Sequence, residues 1–413
     1  MSTFSTAARR GLLLAASLTL VASAAPAQEA IRIYGYFSTR LEKTFSEPGW
    51  NGSQVTHESA PREFSYPFAN IMLQHQIDKR FSAFVNLNAS GAGNIDVRNM
   101  WGELVASPRL QLRLGKIYRK FGLYNEVLDA VPTYYGIEPP ETFDGDHLLI
   151  SRTTTLMAKG NLPLGQGTLN LSVATDNGES GAPFAEGALP LGADMNYAFG
   201  RGSYLVGLSG YTSGGATGSD VALGDGSPKS GVLPWMAADS FKVWNAYFQA
   251  RVSNLTLQFE YAQASHRALR NADDVVTVLN STSVNDAQRA RFLIDTTAAV
   301  TPGNVNTSGD YLVRTWYGRA GYSFETRAGE FGPYLQWDWY SNPETIAEKD
   351  FGGDNEAGVA DDGQFNKGTL GLVYRPISQV AIKLDGSLHM YRFHGERVSY
   401  PELRFDVSYT FGL

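Results

Sequence analysis

Two sets of ionisable residues in this chain have the spacing to act together. The first set occupies alternate positions within apolar stretches: Arg40, Arg113, Arg319, Lys383, Asp385, Arg404 and Asp406. The second is crowded into Tyr118–His147, where Glu126, Asp129, Glu138, Glu141, Asp144 and Asp146 outnumber Arg119, Lys120 and His147. Neither set has bond-making geometry. The histidines (57, 75, 147, 266, 389, 394) form no H-E-x-x-H and no metal-ligand spacing, and no serine sits in a G-x-S-x-G elbow. His389 shares a face with Ser387, but hydrolysis needs nucleophile, base and orienter together. No catalytic residue, metal site or cofactor is expected. Such charges can instead set a field: basic and acidic groups facing each other across a narrow wet passage sort permeating species by size and charge.

The elements that must position these charges repeat one unit, about ten residues of alternating apolar and polar side chains followed by a turn. In FSAFVNLNAS, residues Phe81, Ala83, Val85, Leu87 and Ala89 share one face. The pattern recurs in RLQLRLGK, GTLNLSVATD, LTLQFEYAQ, QVAIKLDGSLHM and ELRFDVSYTF. Sixteen such segments are read between Ile31 and Leu413, the last over 401–413. Their connections alternate in length, the second long position being reduced to the three residues Gly91–Gly93. Asp78-Lys79, Pro108, 162–166, Arg201, Ser253-Asn254, 326–328 and 377–378 are short, whereas 44–63, 118–147, 177–188, 214–237, 267–309 and 341–365 are long. A soluble sandwich has no reason to gather its long loops at one end; a transmembrane barrel has short periplasmic turns and long external loops. The fold class expected is all-β, a 16-stranded antiparallel transmembrane β-barrel.

Composition agrees. The mature chain holds no apolar run of helical membrane-spanning length, and a mean hydropathy of −0.22 suits a barrel whose lumen-facing half is polar. Trp244, Phe248, Trp316, Tyr322, Phe331, Trp337, Trp339, Tyr409 and Phe411 fall on the apolar parity near strand ends, as interfacial belts require. Residues 1–27 read as a cleaved signal peptide: Arg9 and Arg10, an apolar stretch Gly11–Ala22, then Ala25-Pro26-Ala27, with a cut after Ala24 as the alternative. The barrel domain is then 28–413. Without Arg9 and Arg10, 32 Lys+Arg stand against 41 Asp+Glu, a charge of −9 that argues against nucleic acid as a partner. Zero cysteines fit an exported barrel that needs no staples.

With the apolar face outward, Lys383, Arg404 and Arg40 share one wall, because the last two strands and the first become neighbours on closure. Arg32, Arg251, Arg375, Glu42, Asp194, Glu260 and Asp338 also point inward. The segment 118–147, folded into the lumen, would set its acids across from Arg40, Arg113, Lys383 and Arg404. The acids of 341–364 (Glu344, Glu348, Asp350, Asp354, Glu356, Asp361, Asp362) match no EF-hand and read as a solvated loop. Gly214–Trp235, Ala268–Gly309 and Ser341–Gln364 are expected outside the cell. A short helix is expected within 283–299, with Ser283 and Asp286 resembling a capping box.

The stretch NMWGELVASPRLQLRLGKIYRKFGLYNE (Asn99–Glu126) resembles the fourth and fifth strands of proteobacterial outer-membrane porins, in particular the phosphate-selective O/P type. An aromatic-acid strand, a short S-P turn and an R-x-G-K strand there lead into a loop beginning near F-G. The resemblance implies a 16-stranded barrel, often trimeric, whose third loop folds inward as the eyelet. Phosphate-selective members carry basic residues at the constriction, whereas this segment is acidic. Many members end in Phe; this chain ends Phe411-Gly412-Leu413. The expected function is a Gram-negative outer-membrane porin for passive diffusion of small hydrophilic solutes or ions, surrounded by outer-membrane lipid and lipopolysaccharide. Alternatives are a substrate-specific anion or organic-acid channel, or a plugged structural or adhesive barrel.

Overall fold

The computed structural model describes residues 31–64, 67–90, 93–127, 130–143, 148, 152–178, 189–213, 233–281, 284–347 and 356–412. The signal-peptide reading of 1–27 lies outside them, as do Asp129, Asp144, Asp146, His147, Glu348, Asp350, Asp354 and Ser283.

Sixteen antiparallel strands close into one barrel among the described residues: β1 (Arg32–Thr44), β2 (Phe68–Gln76), β3 (Phe81–Ser90), β4 (Ile95–Ser107), β5 (Leu110–Tyr118), β6 (Arg152–Leu164), β7 (Gly167–Asp176), β8 (Leu191–Phe199), β9 (Tyr204–Thr212), β10 (Met236–Val252), β11 (Leu255–Arg270), β12 (Tyr311–Tyr322), β13 (Gly329–Ser341), β14 (Gln364–Ile377), β15 (Val380–Phe393) and β16 (Glu396–Phe411). Two short pieces, Glu63–Phe64 and Phe324–Thr326, extend β2 and β12. Each strand pairs with its chain neighbours, and β1 pairs with both β2 and β16. This seam sets Arg40 opposite Asp406 and Glu42 opposite Arg404, while β15 sets Lys383 opposite Asp406 and Asp385 opposite Arg404. The inward face there is a checkerboard of charge.

The register follows the apolar parity. Leu112 and Leu114 point outward at 36% and 60% exposure, as do Leu335 (58%) and Leu370 (71%). Large apolar side chains exposed around a whole barrel need a lipid partner. Aromatic rows edge this band near the short turns: Tyr197, Phe199 and Tyr204 stack in sequence, as do Phe324, Phe331 and Tyr374.

The outer ends of the longer strands break the simple rule. β10 and β11 have 17 and 16 residues, β5 only 9, and about 9–11 tilted residues cross a bilayer. Along the surplus length the polarity inverts. Phe241 and Val243 point inward and are buried while Ser240 and Lys242 are exposed; Tyr391 and Phe393 are buried beside exposed Arg392. The strands therefore continue past the lipid band as a collar with its own apolar core. That core takes in two helices, α1 (Ala272–Leu279) and α2 (Asp286–Phe292), with Val275, Val278, Leu279 and Phe292 fully buried. It also takes in Ile346 and the turn α3 (Glu356–Val359).

Three expectations change. The last strand starts at Glu396 rather than 401, because β15 and β16 meet in a two-residue turn at His394 and Gly395, both with positive φ (50° and 83°). Pro401 is tolerated within the strand because pairing with β1 ends at Thr44–Glu402, and its missing N–H faces that end. The helix within 283–299 is α2, whose capping box is formed by Asn285 and Gln288. Glu344, Glu356 and Asp361 are not solvated. Arg270 Nε and Nη2 hold the Glu344 carboxylate at 2.6 Å each, and Asp361 accepts from Asn285 Nδ2 and the His394 and Gly395 amides at 2.8–2.9 Å. Their partners lie far away in the sequence, so local spacing cannot reveal them.

Candidate functional site

The segment after β5 is built as a strap of short turns, Asn125–Val127, Val131–Thr133 and Glu141–Phe143. Such turns leave many backbone groups without partners, and inward side chains of the wall supply them. Arg119 pairs with Asp176 at 2.7 Å on β7. The Gly122 amide donates to Ser209 Oγ of β9 at 2.9 Å, and the Leu123 amide to the Glu260 carboxylate of β11 at 3.3 Å. Gly122 has φ +65°, and a Cβ there would lie 1.7 Å from Glu260 Oε1, so only glycine fits. Thr142 meets Thr315 of β12 at 2.9 Å, and the Glu141 amide donates to Asp338 of β13 at 3.1 Å.

The far end of the strap rests on the checkerboard. Lys383, fully buried, donates to the carbonyls of Val131, Tyr134 (2.9 Å) and Gly136 (2.7 Å). Asp385 accepts from the Ile137 amide at 2.8 Å. Glu138 lies between Arg40, at 3.1 Å, and Arg404. Glu141 pairs with Lys367 of β14 at 2.6 Å. At the near end Glu126 bridges Lys120 (3.0 Å) and Lys159 of β6 (2.6 Å). Burial pushes the Glu126 carboxyl up, but the two ammonium groups overcome this and hold it at about 2. Burial likewise raises Glu138, and Arg404, Lys367 and Arg40 hold it below the usual range.

The structure therefore brings together Glu138, Glu141, Arg40, Lys383, Asp385 and Arg404, and sets Glu126 apart with Lys120 and Lys159. The acids of the strap touch the basic wall directly instead of facing it over open space. Arg113 stands apart: it pairs with Glu103 at 2.6 Å and stacks on Trp101. Arg319 lies over Tyr124 and donates to Gln336, and Asp406 accepts from Ser38 and Ser408. Sequence reasoning missed Lys367, which shares the inward parity of Arg375; parity alone would have found it. On β2 and β3 the inner wall carries amides, with Asn88 donating to Asn70 (3.3 Å), Asn70 to Tyr36 (2.8 Å), and Arg98 of β4 donating to Asn88 (3.4 Å). A cleft of about 340 Å³ opens between the near end of the strap and β5–β8, lined by Gln111, Lys120, Lys159, Asn170, Asp194 and Asn196 among others.

A closed 16-stranded antiparallel barrel is the fold of outer-membrane porins. Solved structures with this fold include the anion-selective porin from Comamonas acidovorans, 12% identical, aligned over 92% of this chain and 99% of that one with a TM-score of 0.54. The outer membrane channel DcaP of Acinetobacter baumannii is 10% identical over 95% and 100%, TM-score 0.53. A loop L8 deletion mutant of OmpT, an outer membrane protein of Vibrio cholerae, is 9% identical over 92% and 99%, TM-score 0.51. No family model matches the chain, and no curated protein matches it by sequence. The likeness is therefore one of fold, and it does not single out the phosphate-selective subgroup.

Proposed function

We propose that this barrel is an outer-membrane porin through which small hydrophilic solutes and ions diffuse passively, with residues 119–143 narrowing the lumen. The observation that carries the reading is the strap, held to inward side chains of ten strands of the barrel wall. Wide barrels with polar interiors fill with water. The paired charges Glu126–Lys159, Glu138–Arg404 and Glu141–Lys367 then line the narrow zone as fixed dipoles. Export by the cleaved segment 1–27, the absence of catalysis, assembly as a homotrimer and contact with lipopolysaccharide belong to the same proposal. A second reading, a preference for small organic anions, would rest on Lys120 and Lys159 at the cleft, but both are paired with Glu126 and Asp194 shares the lining. The apolar collar core favours a third, a barrel plugged at its outer mouth. Swelling of liposomes in sugars of graded size tests the proposal. Uptake that falls with sugar size supports it; uptake equal to that of empty liposomes contradicts it.

A further inference from the structure

One chain of charges runs from the strap to the outer collar. Glu138 of the strap contacts Arg404, and Arg404 Nη2 lies 2.8 Å from Glu402. Glu402 Oε2 lies 3.2 Å from His389 Nε2, and His389 Nδ1 is in ion-pair contact with Glu356 of α3. The signs alternate at every step once His389 is an imidazolium. Its ring lies parallel to Tyr400 at 4.5 Å, and the Tyr400 hydroxyl donates to Glu356 at 2.5 Å. Both carboxylates are nearly buried, at 10% and 5% side-chain exposure. An imidazole with a carboxylate at each ring nitrogen is matched to both only in its protonated form. Lys367 of β14, Arg404 of β16 and Glu47, on a hairpin in which Glu47–Trp50 pairs with Val55–Glu58, complete its charged surroundings, with Tyr391 close to Glu356. Burial pushes the Glu356 carboxyl up, but His389 and Tyr400 hold it below the usual range, so it stays ionised.

We propose that protonated His389 latches α3 to the wall and, through Glu402 and Arg404, fixes the strap at Glu138, so that loss of its charge loosens both segments together. A neutral ring leaves Glu356 and Glu402 as two poorly hydrated like charges on either side of it. Glu402 then turns wholly to Arg404 and weakens the hold of Arg404 on Glu138, while α3 moves off. The consequence for ion flow rests on the channel reading; the coupling is a property of the folded barrel.

Amide hydrogen exchange on the refolded full chain at neutral pH tests this without any current. Glu356→Gln and His389→Gln are expected to speed exchange both in 356–360 and in 136–141 by about twofold or more, the lower end for a coupled network. Asp361→Asn cuts a tie to the same outer segment, through Asn285, His394 and Gly395, and lies off the charge chain. It is expected to loosen 356–360 alone. Raising the pH past the imidazolium range, with intrinsic rates corrected, is expected to reproduce the double loosening in the wild type and not in His389→Gln. Unchanged exchange at 136–141 in the first two variants, or equal loosening by Asp361→Asn, would overturn the proposal. A barrel with the expected exchange pattern and no ion current would count against the channel reading and leave the coupling standing.

Discussion

Lys383 of β15 donates to the Tyr134 carbonyl at 2.9 Å, joining residues 249 apart in the chain. With Val131 and Gly136 as its other acceptors, the ammonium clamps the middle of the strap to the wall. Lys383→Met leaves these carbonyls without their donor, and each buried unsatisfied group costs about 1–3 kcal/mol. The expected outcome is a current that flickers among sublevels where the wild type is steady. Identical noise in the two proteins would show that the strap is held elsewhere.

Gly122 is the tightest point of the strap's near half. Gly122→Ala places a Cβ against Glu260 and forces an L-residue into the left-handed region, about 1–2 kcal/mol of strain before the clash. Faster protease nicking within 119–127 in detergent is expected. Wild-type resistance would mean that Glu260 yields freely.

The anchoring of Glu126 depends on pH with a definite sign. Its folded value, about 2, lies below the ordinary 4.5, so its contribution is fully present above the latter and is lost as pH falls towards the former. Exchange protection of 119–127 is expected to decline across that window in the wild type and to lack this step in Glu126→Gln. A decline of equal size in the variant would assign the effect to other groups.

The register places Leu112 in lipid and Arg113 inside. A spin label at 112 should report lipid and one at 113 water, and Leu112→Arg should cost about 2–4 kcal/mol if it lies near the bilayer midplane. A one-residue slip exchanges the faces, so reversed accessibility would refute the register.

The barrel was legible because a lipid-facing strand must alternate, as Leu110, Leu112 and Leu114 do around Gln111 and Arg113. The shared wall of Arg40, Arg404 and Lys383 followed from closure alone. What escaped was the change of solvent along a strand. In Ser240-Phe241-Lys242-Val243 the apolar phase is inward and in Trp244 to Phe248 it is outward, because the first part stands in water around an apolar core. Averaging over the strand hides that switch. The partners of Glu344, Glu356 and Glu141 were equally hidden, since Arg270, His389 and Lys367 meet them only after the sheet has closed. The last strand also runs back past Pro401 to Glu396, since a proline breaks a strand only where its N–H is needed.

The central claim is a water-filled passage narrowed by residues 119–143. Single-channel recording in planar bilayers, with the reversal potential read across a salt gradient, tests it most directly. The wild type is expected to give steady steps of ion current proportional to voltage. Glu138→Gln, which leaves Arg40 and Arg404 less compensated, is expected to shift the reversal potential towards anions, by less as salt rises. No steady current from folded barrels, or a reversal potential indifferent to Glu138, would contradict it.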